Sequence, residues 1–378
     1  MSSTEAAGGR KAGSSRPHVP SLSRHWGAYY RRVHEGVNYR LRNLAGGRFA
    51  HHCRPASAVI LLTELCNARC LHCNIWQNRG KEDSPTFEQW KTVVADLRSW
   101  LGPIHVVFTG GEALLRPFTP DLTAYASGLG LFVEVLTHGY WDDQARVERL
   151  ALARPGRITM SIDGIGETHS LVRGRPVFWD KSLRSLTLLT RLRQEHNLPY
   201  AIRLKTVIMS HNLHDVANVA RFAADNGCEV LYQPIEQNYN TEEDPRWWEH
   251  TDNWPKDPGR AVAAVGELVR LKRAGLPIAN TLTQLEVMIP YFRDPDAMRI
   301  AVQSHTSHER RQNCAALTTL QLQANGDVTV CNGAPRVGNV KHAPIREIWE
   351  KRPRYWEQGC CLEKRRSEAE KITYSVSV

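Results

Sequence analysis

Long apolar runs are missing from this chain of 378 residues. No stretch approaches the ~20 apolar residues that a membrane-spanning helix needs, so no span is expected. Repeats and long low-complexity tracts are absent too, which excludes fibrous, solenoid and wholly disordered classes. No Gly-x4-Gly-Lys-[Ser/Thr] occurs, so phosphate-cradling NTPase chemistry has no support. An apolar signal-peptide core is lacking as well. Acidic residues are scarce in one place. Residues 1–55 hold ten Lys and Arg but only Glu5 and Glu35, ten minus two giving +8 of the net +10. The remainder is close to neutral, so the basic balance is a weak sign of nucleic-acid binding.

What is present is ample core material, 42% apolar residues in a length of more than one domain and less than three. Nine cysteines occur: Cys53, Cys66, Cys70, Cys73, Cys228, Cys314, Cys331, Cys360 and Cys361. An odd number without a signal peptide points to a reducing, cytoplasmic setting, with metal or redox duty rather than disulfides.

Residues 1–20, rich in Ser, Gly, Ala and Pro, read as a disordered basic tail; a transit peptide and a bacterial leader tail both stay open. Residues 21–56 form an amphipathic helical segment, with Trp26, Tyr30, Val33, Val37, Leu41 and Leu44 at three- to four-residue steps. Packing on the main domain is favoured over a basic helix on a membrane surface or partner.

From 57 to 236, apolar strands at 57–63, 104–109, 131–136, 157–162, 201–209 and 229–235 alternate with helices at 87–101, 119–129, 142–153, 180–195 and 213–226. Thr86 followed by Gln89 is a capping box. This rhythm reads as an α/β fold with a parallel sheet, and six units are too few for a closed eight-fold barrel. Residues 237–311 form a helical and aromatic linker. Its Tyr239, Trp247, Trp248 and Trp254 read equally as a substrate lid or as a surface excursion packing its own tryptophans. Helices are expected at 259–274 and over Thr281–Phe292. Residues 312–362 hold a hairpin turning at Asn325-Gly326-Asp327 and a helix at 344–351; residues 363–378 are a tail.

Chemistry concentrates on Cys66-x3-Cys70-x2-Cys73, directly after the first strand. Parallel α/β sheets place their sites at that end. Three thiolates on one loop suit a [4Fe–4S] cluster with one iron left open, and a zinc knuckle or buried thiols fit less well. Thr109-Gly110-Gly111-Glu112 ends the second strand, where glycine permits close backbone approach and a carboxylate can receive an ammonium. Thr137-His138-Gly139 ends the third, and Ser161-Ile162-Asp163-Gly164 the fourth, with His169 and Arg173 downstream. Gln233 and Glu236, at the end of the sixth, point toward substrate or act as polar caps.

In these motifs and their order the chain resembles the radical S-adenosylmethionine (SAM) enzymes. The resemblance covers about residues 57–362 and implies a partial (β/α)6 TIM-like barrel. It implies SAM on the open iron, reductively cleaved to a 5′-deoxyadenosyl radical that abstracts hydrogen from substrate. By that resemblance Cys66, Cys70 and Cys73 hold the cluster. Gly110, Gly111 and Glu112 meet SAM's amino group, Ser161 and Arg173 its carboxylate and ribose, and the backbone of His72 the adenine. Asp163 lines the same pocket, and Thr137 either lines it or belongs to a plain turn. Cys314, eleven residues, Gly326, four residues and Cys331 resemble the opening of SPASM and twitch extensions, which hold an auxiliary [4Fe–4S] cluster. Twitch, with one cluster, matches better. Cys360 and Cys361 close the site, or, since adjacent side chains in extended backbone point opposite ways, one ligates and substrate or another residue fills the fourth place; unclustered thiols are the other reading. Cys53 and Cys228 read as ordinary.

The expected function is radical oxidation or modification of a small molecule, sugar-like or a natural-product intermediate, or of a peptide. A low-potential donor such as flavodoxin or ferredoxin is implied. The alternatives are a non-catalytic iron–sulfur carrier, a zinc-binding module, or an RNA-modifying radical SAM enzyme, the last suggested by the basic N-terminus.

Overall fold

The computed structural model describes residues 21–44, 48–78, 83–239, 241–242, 244–296, 317–330 and 336–352. Six strands carry the body: β1 (Ser57–Thr63), β2 (His105–Gly110), β3 (Phe132–Thr137), β4 (Arg157–Ser161), β5 (Ala201–Ile208) and β6 (Glu229–Pro234). All six are parallel and lie in sequence order across the sheet. Helices α2 (Phe87–Leu101), α3 (Thr119–Gly128), α4 (Ala145–Leu152), α5 (Glu167–Val172), α6 (Phe178–Glu195) and α7 (Val216–Asp225) lie between them. The sheet does not close. It is the expected partial (β/α)6 barrel, with each expected strand within a residue or two of its place.

Strand burial explains the shape. In β1, Ala58, Ile60 and Leu62 are fully buried and pack with Trp90, Val94 and Leu97 of α2 in the main core. The intervening residues face the concave side and are only half-buried, as in β2, β5 and β6. Fully enclosed parallel strands read as unbroken apolar runs, so this alternation marks an open barrel. The concave wall accordingly carries charge. Glu134 accepts from His105 Nε2 (2.9 Å), Arg157 Nη1 (3.1 Å) and Thr159 Oγ1 (2.5 Å), and Arg203 Nε donates to Glu229 (2.7 Å).

On the β1 edge the sheet continues. β7 (Thr319–Leu322) pairs parallel to β1, then β8 (Asp327–Thr329) and the two-residue β9 (Gly338–Asn339) follow antiparallel. The hairpin expected at 317–330 therefore extends the barrel sheet to nine strands.

Helix α1 (Ser21–Asn43) does pack on the main domain: Tyr30 Oη donates to Leu101 O (2.9 Å) and Arg31 Nη1 to Pro103 O (3.2 Å). α8 (Pro258–Arg273) matches its expected range. The single helix expected over Thr281–Phe292 is two, α9 (Leu282–Glu286) and α10 (Met288–Arg293). Pro290 has no N–H to donate and its ring crowds the Glu286 carbonyl, so the helix breaks at Val287. Trp254 stacks edge-on against Trp247 (5.5 Å between centroids) and packs on Phe292 (5.4 Å). These tryptophans pack on each other and on the core, as a surface excursion would. The last described helix is α11 (Ile345–Glu350).

Candidate functional site

β1 ends at Thr63, and the chain turns at once into the loop of Cys66, Cys70 and Cys73. All three thiols are free and pack in one patch with Ala68, Tyr140 and Phe178. The loop is fixed from two sides. From α5, Arg173 O accepts from Arg69 N (3.0 Å) and Val172 O from Leu71 N (3.0 Å). Gly174, at φ +67°, lies against it; a Cβ there would stand 2.0 Å from Arg69 O, so only glycine fits. From the segment after β6, Asn238 Nδ2 and Asn253 Nδ2 both donate to Leu71 O (3.0 and 2.9 Å), and Tyr239 O accepts from Asn74 N (3.3 Å). Neither asparagine was singled out from the sequence, because an amide in a polar stretch carries no periodic signal.

Burial pushes all three thiols up, Cys66 to about 12. Arg173 opposes this at Cys70, with Nη1 donating to Sγ at 3.5 Å. Among the described residues no three His, Cys, Asp or Glu side chains close on a single ion. A cubane asks for something else, one soft thiolate for each of several separate irons, and three free thiols on one loop fit that donor set. Loading it displaces the thiol protons.

β2 delivers Gly110, Gly111 and Glu112 beside that loop. A Cβ on Gly111 would stand 2.3 Å from Leu65 O, so the glycine lets the two loops touch. Glu112 is turned inward. Its Oε1 accepts from Leu114 N (3.1 Å) and its Oε2 from His138 N (2.9 Å), and burial pushes it up to about 7. The carboxylate expected to meet an ammonium thus already holds two backbone N–H donors, with His138 Nε2 3.2 Å from Oε2 and the Thr137 side chain also bonded to it, and ties the ends of β2 and β3 together. Thr137 is buried and its Oγ1 accepts from Gly139 N (3.2 Å). His138 does more than turn the chain. Its Nδ1 accepts from Tyr140 N (2.9 Å), so Nε2 carries the proton and donates to Asn67 Oδ1 (2.8 Å) inside the cysteine loop. Burial holds its pKa well below the usual value, in keeping with that neutral form.

Asp163 and Arg173 form a buried pair, Nη2 to Oδ2 at 2.6 Å, and Asp163 Oδ1 accepts from Val207 N (2.9 Å). Burial alone would raise Asp163, but the guanidinium outweighs it and holds the carboxyl below its ordinary range. Arg173 is therefore committed to Asp163 and Cys70 rather than standing open. His169 Nδ1 accepts from Asp163 N (3.1 Å), leaving a buried Nε2 without a partner; His72 Nδ1 is also enclosed and unpartnered. Burial lowers His72 to about 4. Ser161 closes β4 on the concave side, in register with Lys205 of β5. Lys205 is half-buried and makes no hydrogen bond or ion pair among the described residues; burial lowers its pKa, with Glu236 and Asp163 acting against it. It was missed because a lysine inside an apolar strand reads as an exposed face. Gln233 is half-buried on β6 and Glu236 is exposed just past it.

Cys53 and Cys228 are buried free thiols donating to Asn38 O (3.6 Å) and Asn226 O (3.4 Å), as ordinary core cysteines do. Cys314, Cys331, Cys360 and Cys361 lie outside the described residues, as does the tail at 1–20.

Comparison with known proteins agrees with this arrangement. Residues 60–223 match the radical SAM superfamily, and residues 314–372 match the iron–sulfur cluster-binding domain SPASM. The chain is a radical SAM enzyme. More narrowly, it is one that carries a C-terminal SPASM iron–sulfur domain. It is 26% identical over 298 residues to the AdoMet-dependent heme synthase of Methanosarcina barkeri, covering 76% of this chain and 80% of that protein. It is 26% identical over 306 residues to the PqqA peptide cyclase of Streptomyces rochei, covering 78% and 75%. The crystal structure of Streptococcus suis SuiB shares the fold, with a TM-score of 0.58 and 16% identity over 86% of this chain and 70% of that one. No described helix is long and apolar enough to cross a membrane. SAM, a [4Fe–4S] cluster and auxiliary iron–sulfur ligation are the cofactors of this class of enzyme.

Proposed function

We propose that the chain oxidatively modifies a peptide held over the C-terminal ends of β1–β6. The observation that carries the reading is one constellation: three thiols, Glu112, the Asp163–Arg173 pair and the unpaired Lys205 share one end of a parallel sheet. A bound [4Fe–4S] cluster with SAM on its open iron supplies the electron that cleaves SAM and the radical that takes hydrogen from substrate. Cys66, Cys70 and Cys73 hold that cluster. Gly110 and Gly111 let SAM's methionine end approach the backbone, and Glu112 fixes the loop and sets its carboxylate beside the ammonium. Arg173 locks Cys70 and Asp163. That leaves Lys205, beside Ser161, to receive the carboxylate. Thr137 and the His72 backbone line the rest of the pocket, and Gln233 and Glu236 stand on the substrate side.

Cys314, Cys331 and one or both of Cys360 and Cys361 would hold the auxiliary [4Fe–4S] cluster, which would supply an acceptor for the second electron of the oxidation. The boundaries 57–236 and 312–362 separate the two cofactors. Flavodoxin or ferredoxin donates the first electron, and free thiols at every described cysteine support a reducing, cytoplasmic setting. The peptide cyclases among the relatives favour a peptide; the heme synthase favours a second reading, a small-molecule substrate.

Anaerobic SAM cleavage under a low-potential reductant tests the site. Wild type forms 5′-deoxyadenosine and Cys70→Ala forms none. Lys205→Gln keeps its iron but needs about tenfold more SAM, as loss of a charge-assisted hydrogen bond requires. 5′-Deoxyadenosine from Cys70→Ala, or unchanged SAM affinity in Lys205→Gln, contradicts the assignment.

A further inference from the structure

Helix α1 is mounted with its apolar stripe outward. It has 23 residues, about 35 Å at the α-helical rise. Leu41 packs on Ala50, Cys53 and Leu317, and the helix's other contacts with the body are mainly polar. Arg31 donates to Pro103 O, and Asn38 exchanges two hydrogen bonds with Arg54, Nδ2 to the carbonyl (2.9 Å) and Oδ1 from the amide (3.1 Å). Trp26, Tyr29, Val33, Val37 and Leu44, at three-, four- and seven-residue steps, are instead exposed, Trp26 by 68% and Tyr29 by 61%. A surface helix normally buries that stripe, so this one is left for something else.

Charge narrows the occupant. Glu35 is the sole acid of α1, and it lines a pocket with Asn38, Arg42 and His105 on the polar side of the helix. Exposed Arg40 falls on the stripe itself, seven residues after Val33, exposed Arg32 lies about a third of a turn to its side, and Arg10, Lys11 and Arg16 precede the helix in sequence. A second copy would set these arginines against each other with no acid between them. An anionic lipid surface pairs with them and gives Trp26 and Tyr29 the interfacial position that amphipathic rings favour.

We propose that the α1 face seats the enzyme on anionic bilayers, in the plane of the headgroups. This is independent of the substrate reading above. The test is flotation of the full chain with vesicles of phosphatidylcholine alone and of phosphatidylcholine mixed with phosphatidylglycerol. Wild type is expected to float with the mixed vesicles only, and to detach as salt rises. Trp26→Ser/Tyr29→Ser/Val33→Ser/Val37→Ser is expected to bind at least about tenfold more weakly, with circular dichroism unchanged because the replaced groups are exposed. Arg32→Glu/Arg40→Glu, which leaves the apolar residues of the stripe in place, is expected to lose the preference for the anionic lipid. Absence of wild-type flotation overturns the proposal, as does flotation of the quadruple variant equal to wild type. So does a concentration-dependent dimer that the quadruple variant abolishes, which would give the face to a second copy.

Discussion

Glu134 shows how single residues on the concave wall are tuned. It is 6% exposed, and burial alone would raise its pKa, but His105, Thr159 and Arg157 outweigh burial and hold it at about 2, against an ordinary 4.5. The folded state therefore binds the ionised form more tightly. The stabilisation is full above about pH 4.5 and is lost as pH falls toward 2. Glu134→Gln should cost on the order of 2–3 kcal/mol at neutral pH. Chemical denaturation from pH 7 down to acid checks this. Wild type and variant should converge at the acid end, and a constant gap would show that packing, not charge, is at stake. None of this was legible in the sequence. A lone Glu in an apolar strand says nothing of the His and Arg that neighbouring strands set beside it. Cys66, Cys70 and Cys73 were legible, because their spacing within one loop is itself the signal. Lys205 and His138 were not, because their roles depend on register and on a loop 71 residues away in sequence.

At the scale of elements, the strands and most helices could be read because each declares itself by local apolar periodicity, and the α2 capping box because its two partners lie three residues apart. Short elements were harder. α5 has six residues and no periodicity to show, yet its end carries Arg173 and Gly174, which fix the cysteine loop. That gives a sharp prediction. Gly174→Ala forces a Cβ to within 2.0 Å of Arg69 O and a positive φ on a residue that resists it. The variant should lose several kcal/mol of stability or shed iron on reconstitution, read by thermal melting and by iron content. A soluble variant with wild-type melting and full iron would show that this contact relaxes freely. Pro290 is the converse case, a breaker visible in the sequence that splits the helix expected over Thr281–Phe292 into α9 and α10.

At the scale of the whole molecule, one sheet joins the radical SAM region to the SPASM region. β7 joins β1 directly, so the hairpin that precedes Cys331 is in register with the strand that leads into Cys66. Sequence separation of more than 250 residues hid this contact, because neither strand's pattern names its neighbour. The segment after β6 reaches back to Leu71, so the region expected as a linker also holds the cysteine loop. In the function proposed above, this sheet serves two separate iron–sulfur clusters, one of them on Cys66, Cys70 and Cys73. Counting iron and sulfide per chain after anaerobic reconstitution tests it most directly, in wild type and in the Cys66→Ala/Cys70→Ala/Cys73→Ala variant. The account predicts about eight irons in wild type and about four in the variant. An iron content that the triple substitution leaves unchanged would contradict it.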